Sequence, residues 1–283
     1  MFLKINSSGV LVMAMATLLL FSCSEYQKVL KAPDISKKYE MAERLYGEGS
    51  FKKANRLLEQ IAPQFVGKPQ GERVMFFLAD SYYKIGDYNF AGYQFERFLK
   101  SYPKSDKAAE AAFLGAKSYY MLSPRYSLDQ TDTEKALNKL QQFINTYPDS
   151  EYLAEANTMA RELTTKQEKK AFEIARQFVK LGKYYTLDYN ISAIAALDNF
   201  ISDHPGSIYR EEAYFLRLQS ATKLALNSTF SKKRERLENA VAAYNAFMRY
   251  YAEGQFADDA RELYEDIQKE LAFYQELEET ISK

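Results

Sequence analysis

The stretch AGYQFERFLKSYPKS, residues 91–105, decides the fold, because the chain repeats its pattern in four other places. The counterparts are ANRLLEQIAPQF from Ala54, EKALNKLQQFINTYPDS from Glu134, SAIAALDNFISDHPGS from Ser192 and NAVAAYNAFMRYYAEG from Asn239. In one frame, Ala54, Ala91, Ala136, Ala193 and Ala240 hold the first position. Four residues on stand Leu58, Phe95, Leu140, Leu197 and Tyr244; seven on, Ile61, Phe98, Phe143, Phe200 and Phe247; eight on, Ala62, Leu99, Ile144, Ile201 and Met248. These offsets fall on one face of an α-helix, so each segment is expected to be a helix with a small residue for close approach and a large anchor two turns later.

The punctuation repeats as well. Eleven residues after the alanine come Phe65, Tyr102, Tyr147, His204 and Tyr251, followed by Pro103, Pro148 and Pro205 in three cases. Proline cannot continue a helix, so the aromatic-proline pair ends it, and Ser105, Ser150 and Ser207 become N-cap candidates for the next one. That next helix keeps register through Val74, Ala111, Ala156, Ala213 and Ala260. Gly49-Ser50-Phe51 and Gly86-Asp87-Tyr88 mark the turn inside a hairpin, with glycine supplying the left-handed end of its first helix.

Paired helices with these turns resemble the tetratricopeptide family over residues 36–264, which implies an all-α solenoid of about five helical hairpins. The aligned alanines lie 37, 45, 57 and 47 residues apart, where a uniform repeat would give about 34. The excess locates a polar loop at 123–132 and a charged segment at 155–181, free of Pro and Gly, expected as one long helix or two stacked turns. Further hairpin helices are expected at 207–226 and 231–251, with a closing amphipathic helix at 255–281. The expected division is a signal peptide at 1–22, a tether at 23–35, N-terminal repeats at 36–165 and C-terminal repeats with the terminal helix at 166–283.

The signal peptide is read from its charge and length. Lys4 is the only charged residue before Glu25, and VLVMAMATLLLF at 10–21 is too short to span a bilayer. The run ends at Leu20-Phe21-Ser22-Cys23, which resembles a bacterial lipobox. Cleavage before Cys23 and lipidation of its thiol would hold the mature chain at a membrane surface, since two or more acyl chains anchor stably where one does not. An uncleaved anchor with an incidental cysteine is the other reading.

Composition excludes several kinds of chemistry. The 283 residues carry 38 Lys+Arg against 38 Asp+Glu, so the chain lacks the uncompensated basic charge that nucleic-acid binding uses. One Cys and one His supply neither a disulfide nor a structural zinc site, and no catalytic or metal-binding constellation is predicted. No cofactor is expected beyond the covalent lipid on Cys23. His204 holds the repeat's terminator position and is expected as a helix-end residue. The run Lys232-Lys233-Arg234-Glu235-Arg236 reads as a solvated helix face, with a lipid-headgroup or acidic-partner contact as the other reading. Among 23 Tyr, those at fixed repeat positions, Tyr82 and Tyr119 included, read first as packing. The candidates for a peptide-binding surface are Tyr82, Tyr83, Tyr93, Tyr120, Tyr184 and Tyr185, with a groove expected near Tyr82, Tyr83 and Tyr93.

Lipobox and repeats together, with ADSYYKI at 79–85, Ala91, Phe98, Pro103 and later Tyr184-Tyr185-Thr186 ahead of Asp203-His204-Pro205, resemble the outer membrane protein assembly factor BamD family. The resemblance implies a non-enzymatic lipoprotein scaffold at the outer membrane, facing the periplasm. Its implied partners are a BamA-type β-barrel insertase, other assembly lipoproteins and unfolded outer-membrane protein segments, the last received by the N-terminal repeats. Family docking on the insertase uses a basic residue on a late helix, whereas ISAIAALDNFIS at 191–202 has none, so that contact is expected to be apolar or to lie elsewhere. A SusD-like glycan-binding lipoprotein is an alternative, against which the absence of Trp counts. Another envelope scaffold would add an N-terminal coiled coil, for which residues 24–35 are too short.

Overall fold

The computed structural model describes residues 25–184 and 186–281. Among them every regular element is helical: residues 25–31 (α1), Ile35–Gly47 (α2), Phe51–Phe65 (α3), Gly71–Lys84 (α4), Tyr88–Ser101 (α5), Ala108–Leu122 (α6), Thr131–Thr146 (α7), Leu153–Tyr184 (α8), Asp188–Asp203 (α9), Arg210–Leu226 (α10), Phe230–Tyr251 (α11) and Ala257–Ile281 (α12). None is long and apolar enough to cross a membrane.

The repeat frame forms the core. All five first-position alanines, and Val74, Ala111, Ala156, Ala213 and Ala260 on the helices that follow, are fully buried, as are the anchors Ile61, Phe98, Phe143, Phe200 and Phe247. Methyl-sized residues at the crossing let neighbouring helices approach, and each large anchor then contributes about 1.5–3 kcal/mol by leaving water. A second rung repeats where one hairpin meets the next. Phe76 carries the Lys107 ammonium 5.4 Å from its ring centroid, while Phe113 stacks on Tyr152 at 4.7 Å, Phe172 on Tyr209 at 5.2 Å and Phe215 on Phe256 at 4.8 Å.

The corners are near-copies of each other. Tyr102, Tyr147 and His204 cap α5, α7 and α9, each donating its backbone N–H to the carbonyl four residues back and resting its ring on that same phenylalanine at 5.6, 5.7 and 5.0 Å. His204 is thus the helix-end residue its position implies. The serines stand two residues ahead of the N-cap. The hydroxyls of Ser105, Ser150 and Ser207 accept the N–H of the residue two on, and the helix opens a residue after that. Within the hairpins, Gly49 and Gly86 adopt φ of 74° and 84°, where a side chain would be strained.

The structure adds detail at two places. Within the segment expected as a tether, Tyr26 on α1 is buried in the core of the first repeats and Lys53 places its ammonium over that ring. Periodicity could not register α1, which is too short to repeat the frame. The charged segment is one 32-residue helix, α8, with no break. The chain divides into two compact units, one of residues 25–124 and 130–161, the other of 125–129 and 162–281. The division falls inside α8, four residues before the expected boundary, and the tip of the polar loop belongs with the second unit, where Lys170 donates to the Leu128 carbonyl at 2.8 Å.

Candidate functional site

In the first unit the leading helices of successive hairpins, α2, α4 and α6, meet edge to edge and carry a register of their own. Tyr46, Tyr83 and Tyr120 stand 37 residues apart, as do Asp80 and Lys117. The Tyr46 hydroxyl donates to Asp80 Oδ2 at 2.5 Å, and one repeat later Tyr83 lies beside Lys117, whose Nζ donates to Glu155 Oε1 at 2.7 Å. Around Tyr46 the rings continue: it stacks on Phe77 at 4.0 Å, and Arg73, paired with Glu43, sits over Phe77 at 5.1 Å. Tyr83 meets Tyr88 edge-on at 5.6 Å.

Burial sets the electrostatics of this face. Asp80 is 4% exposed, and desolvation pushes its carboxyl above the usual range, only partly offset by the Tyr46 bond and the Lys84 and Lys107 charges. Desolvation likewise raises the hydroxyls of Tyr46 and Tyr83, so both remain protonated donors. The bond to Glu155 raises the Lys117 ammonium, which stays charged. The face therefore presents rings, hydroxyl donors and both signs of charge, a combination suited to holding polypeptide and holding no poised nucleophile.

Of the six expected tyrosines, the structure brings Tyr83 and Tyr120 onto one face. Tyr82 is buried, its hydroxyl donating to Glu59 and its ring stacked on Phe90 at 5.3 Å, so it packs between α3, α4 and α5 and is not surface. Tyr119 repeats that role, donating to Glu96 at 2.9 Å with Lys135 over its ring at 4.2 Å. Tyr93 is exposed on α5, with Arg97 over its ring at 5.9 Å, away from the α2–α4–α6 face. Tyr83 and Tyr120 are half-buried on that face at the register of Tyr46. Tyr184 is exposed at the end of α8 in the second unit. Tyr185 and Cys23 lie outside the described residues. Sequence reasoning missed Tyr46, Phe77 and Asp80, although the 37-residue spacing from Tyr83 to Tyr46 carried the signal. The basic run at 232–236 is partly structural: Lys233 pairs with Glu270 and caps the Leu226 carbonyl, and Arg236 donates to Ser228 Oγ at 2.7 Å.

Comparison with known proteins bears on the same chain. The outer membrane protein assembly factor BamD of Caulobacter vibrioides is 24% identical over 204 residues, 72% of this chain and 63% of that protein, so the match spans under two thirds of the relative's length. BamD of Pasteurella multocida is 21% identical over 230 residues, 77% of this chain and 85% of that protein. BamD of Helicobacter pylori is 24% identical over 99 residues, 35% of this chain and 45% of that protein. Among solved structures, a kinesin light chain of Podosopora anserina with nearly identical TPR-like repeats aligns over 86% of this chain and 99% of its own, with 15% identity and a TM-score of 0.35. Residues 31–187 and 183–280 match the YfiO family, outer membrane lipoproteins, and with that match over both units the chain belongs to this family.

Proposed function

We propose that this protein is a lipid-anchored, non-enzymatic scaffold in outer-membrane protein assembly, held at the outer membrane through Cys23 and facing the periplasm. Its first unit receives an extended segment of an unfolded outer-membrane protein on the α2–α4–α6 face, and its second unit docks on a BamA-type insertase, with other assembly lipoproteins as further partners. Family membership and the BamD relatives support the assembly role. The observation that carries the substrate site is the 37-residue register of Tyr46, Tyr83 and Tyr120, with Lys117 beside Tyr83, because a periodic row of rings and polar groups can meet an extended chain at regular intervals.

Site-specific photocrosslinking tests this. A benzophenone amino acid placed at Tyr83 or Tyr120 is expected to capture a peptide with the C-terminal sequence of an outer-membrane barrel, while the same group at exposed Tyr93 captures little. Equal capture from Tyr93, or none from Tyr83 and Tyr120, overturns the assignment of the face.

A further inference from the structure

A lipid on Cys23 would tie one corner of the first unit to the membrane. Three residues further along the chain, Tyr26 on α1 is buried, its hydroxyl donating to the Lys53 carbonyl at 3.4 Å while the Lys53 ammonium sits 5.6 Å from its ring centroid. Three residues of chain span at most about 11 Å, so acyl chains carried by Cys23 bring the first turn of α3 to the bilayer surface.

That corner is basic. Lys52, Lys53 and Lys84 line one open depression, where the turn at 49–51 meets the end of α4. Arg56 follows one turn on along α3, near enough to Tyr26 for its charge to act on the hydroxyl. All four side chains are exposed, and among the described residues none of them forms an ion pair. The carboxylates of the same region are engaged elsewhere: Glu25 and Glu48 pair with Arg44 at 3.5 and 3.9 Å, Glu59 accepts from Tyr82, and Asp87 accepts the Phe90 N–H. In a chain whose formal net charge is +0, these four cations are a local excess beside the point of attachment.

We propose that this corner is a membrane-facing surface on which Lys52, Lys53, Arg56 and Lys84 bind the headgroups of anionic phospholipid in the leaflet that holds the anchor. The inference rests on the assignment of Cys23 as the lipidated residue. Charge complementarity and the short tether select the occupant. Acyl chains on Cys23 keep these cations among headgroups at a far higher local concentration than any soluble acidic segment reaches. Each cation near an anionic surface strengthens partitioning about fivefold. Chain and patch together hold the first unit against the bilayer at two points, which fixes one orientation where a tether alone would allow many.

The test separates the patch from the lipid. The mature chain from residue 23 onward, carrying Cys23→Ser, is sedimented with vesicles of phosphatidylcholine and phosphatidylglycerol in equal parts, and with vesicles of phosphatidylcholine alone. The expected result is binding to the phosphatidylglycerol vesicles only, abolished by high salt. It is weakened about tenfold or more in Lys52→Gln/Lys53→Gln/Lys84→Gln and unchanged in Lys100→Gln/Lys104→Gln/Lys180→Gln, which removes as much charge elsewhere. Equal binding to both kinds of vesicle, an equal loss in the two variants, or retention on poly-glutamate with no binding to vesicles overturns the proposal. Failure of the anchor itself is distinguishable, since the mass of the N-terminal peptide from the natural chain shows whether Cys23 carries lipid, whatever the vesicles bind.

Discussion

Asp80 shows how much one buried carboxylate can reveal about the face it belongs to. Its folded-state pKa is raised, so the native chain holds that proton more tightly than the unfolded chain does. The stability tied to protonated Asp80 is present below the unfolded carboxylate value and is lost as pH rises through the raised folded value. Asp80→Asn, which can still accept from Tyr46, is therefore expected to melt higher than wild type at neutral pH, with the gap closing as pH falls to the ordinary carboxylate range; a gap independent of pH in thermal melts contradicts the burial argument. The pair Tyr82 and Tyr83 shows what the sequence left open. Adjacent helical residues point about 100° apart, and both tyrosines recur 37 residues later as Tyr119 and Tyr120, so recurrence alone does not say which packs and which faces outward. The hydroxyl bonds of Tyr82 and Tyr119 to Glu59 and Glu96 decide it.

Those bonds also tie one helix to the next. Tyr119 on α6 reaches Glu96 on α5, and Lys139 on α7 pairs with the same carboxylate at 2.9 Å, so three helices share one acceptor. A double-mutant cycle on Tyr119→Phe and Glu96→Ala is expected to give a coupling of about 0.5–1 kcal/mol in denaturant melts, small because Glu96 is partly solvated, and zero coupling denies the tie. The rung is absent from the next repeat for a reason visible in the chain, where Gln141 and Thr164 replace the glutamate and tyrosine and Gln141 bonds Asn145 instead. Helix positions and their buried faces were legible because a four-position frame repeats five times. The unbroken run of α8 was open between two readings, since a stretch without Pro or Gly permits continuity without requiring it. The early action of Ser105, Ser150 and Ser207 was not legible, because a serine ahead of a helix can cap it directly or close the turn before it.

The fold gives the balanced charge and the many Tyr and Phe a context. Stacked helical hairpins have much surface for little core, so aromatic anchors fill the interior and paired charges cover the outside. Family membership supports a role in outer-membrane protein assembly, and the proposed scaffold would receive polypeptide on the periodic face as part of that role. The most direct measurement is affinity isolation of the full chain from membranes through a C-terminal tag, followed by mass spectrometry of what is recovered. The account predicts a large β-barrel protein with periplasmic repeats as the main partner. Recovery instead of a TonB-type transporter with glycan-degrading enzymes would contradict it in favour of a SusD-like role.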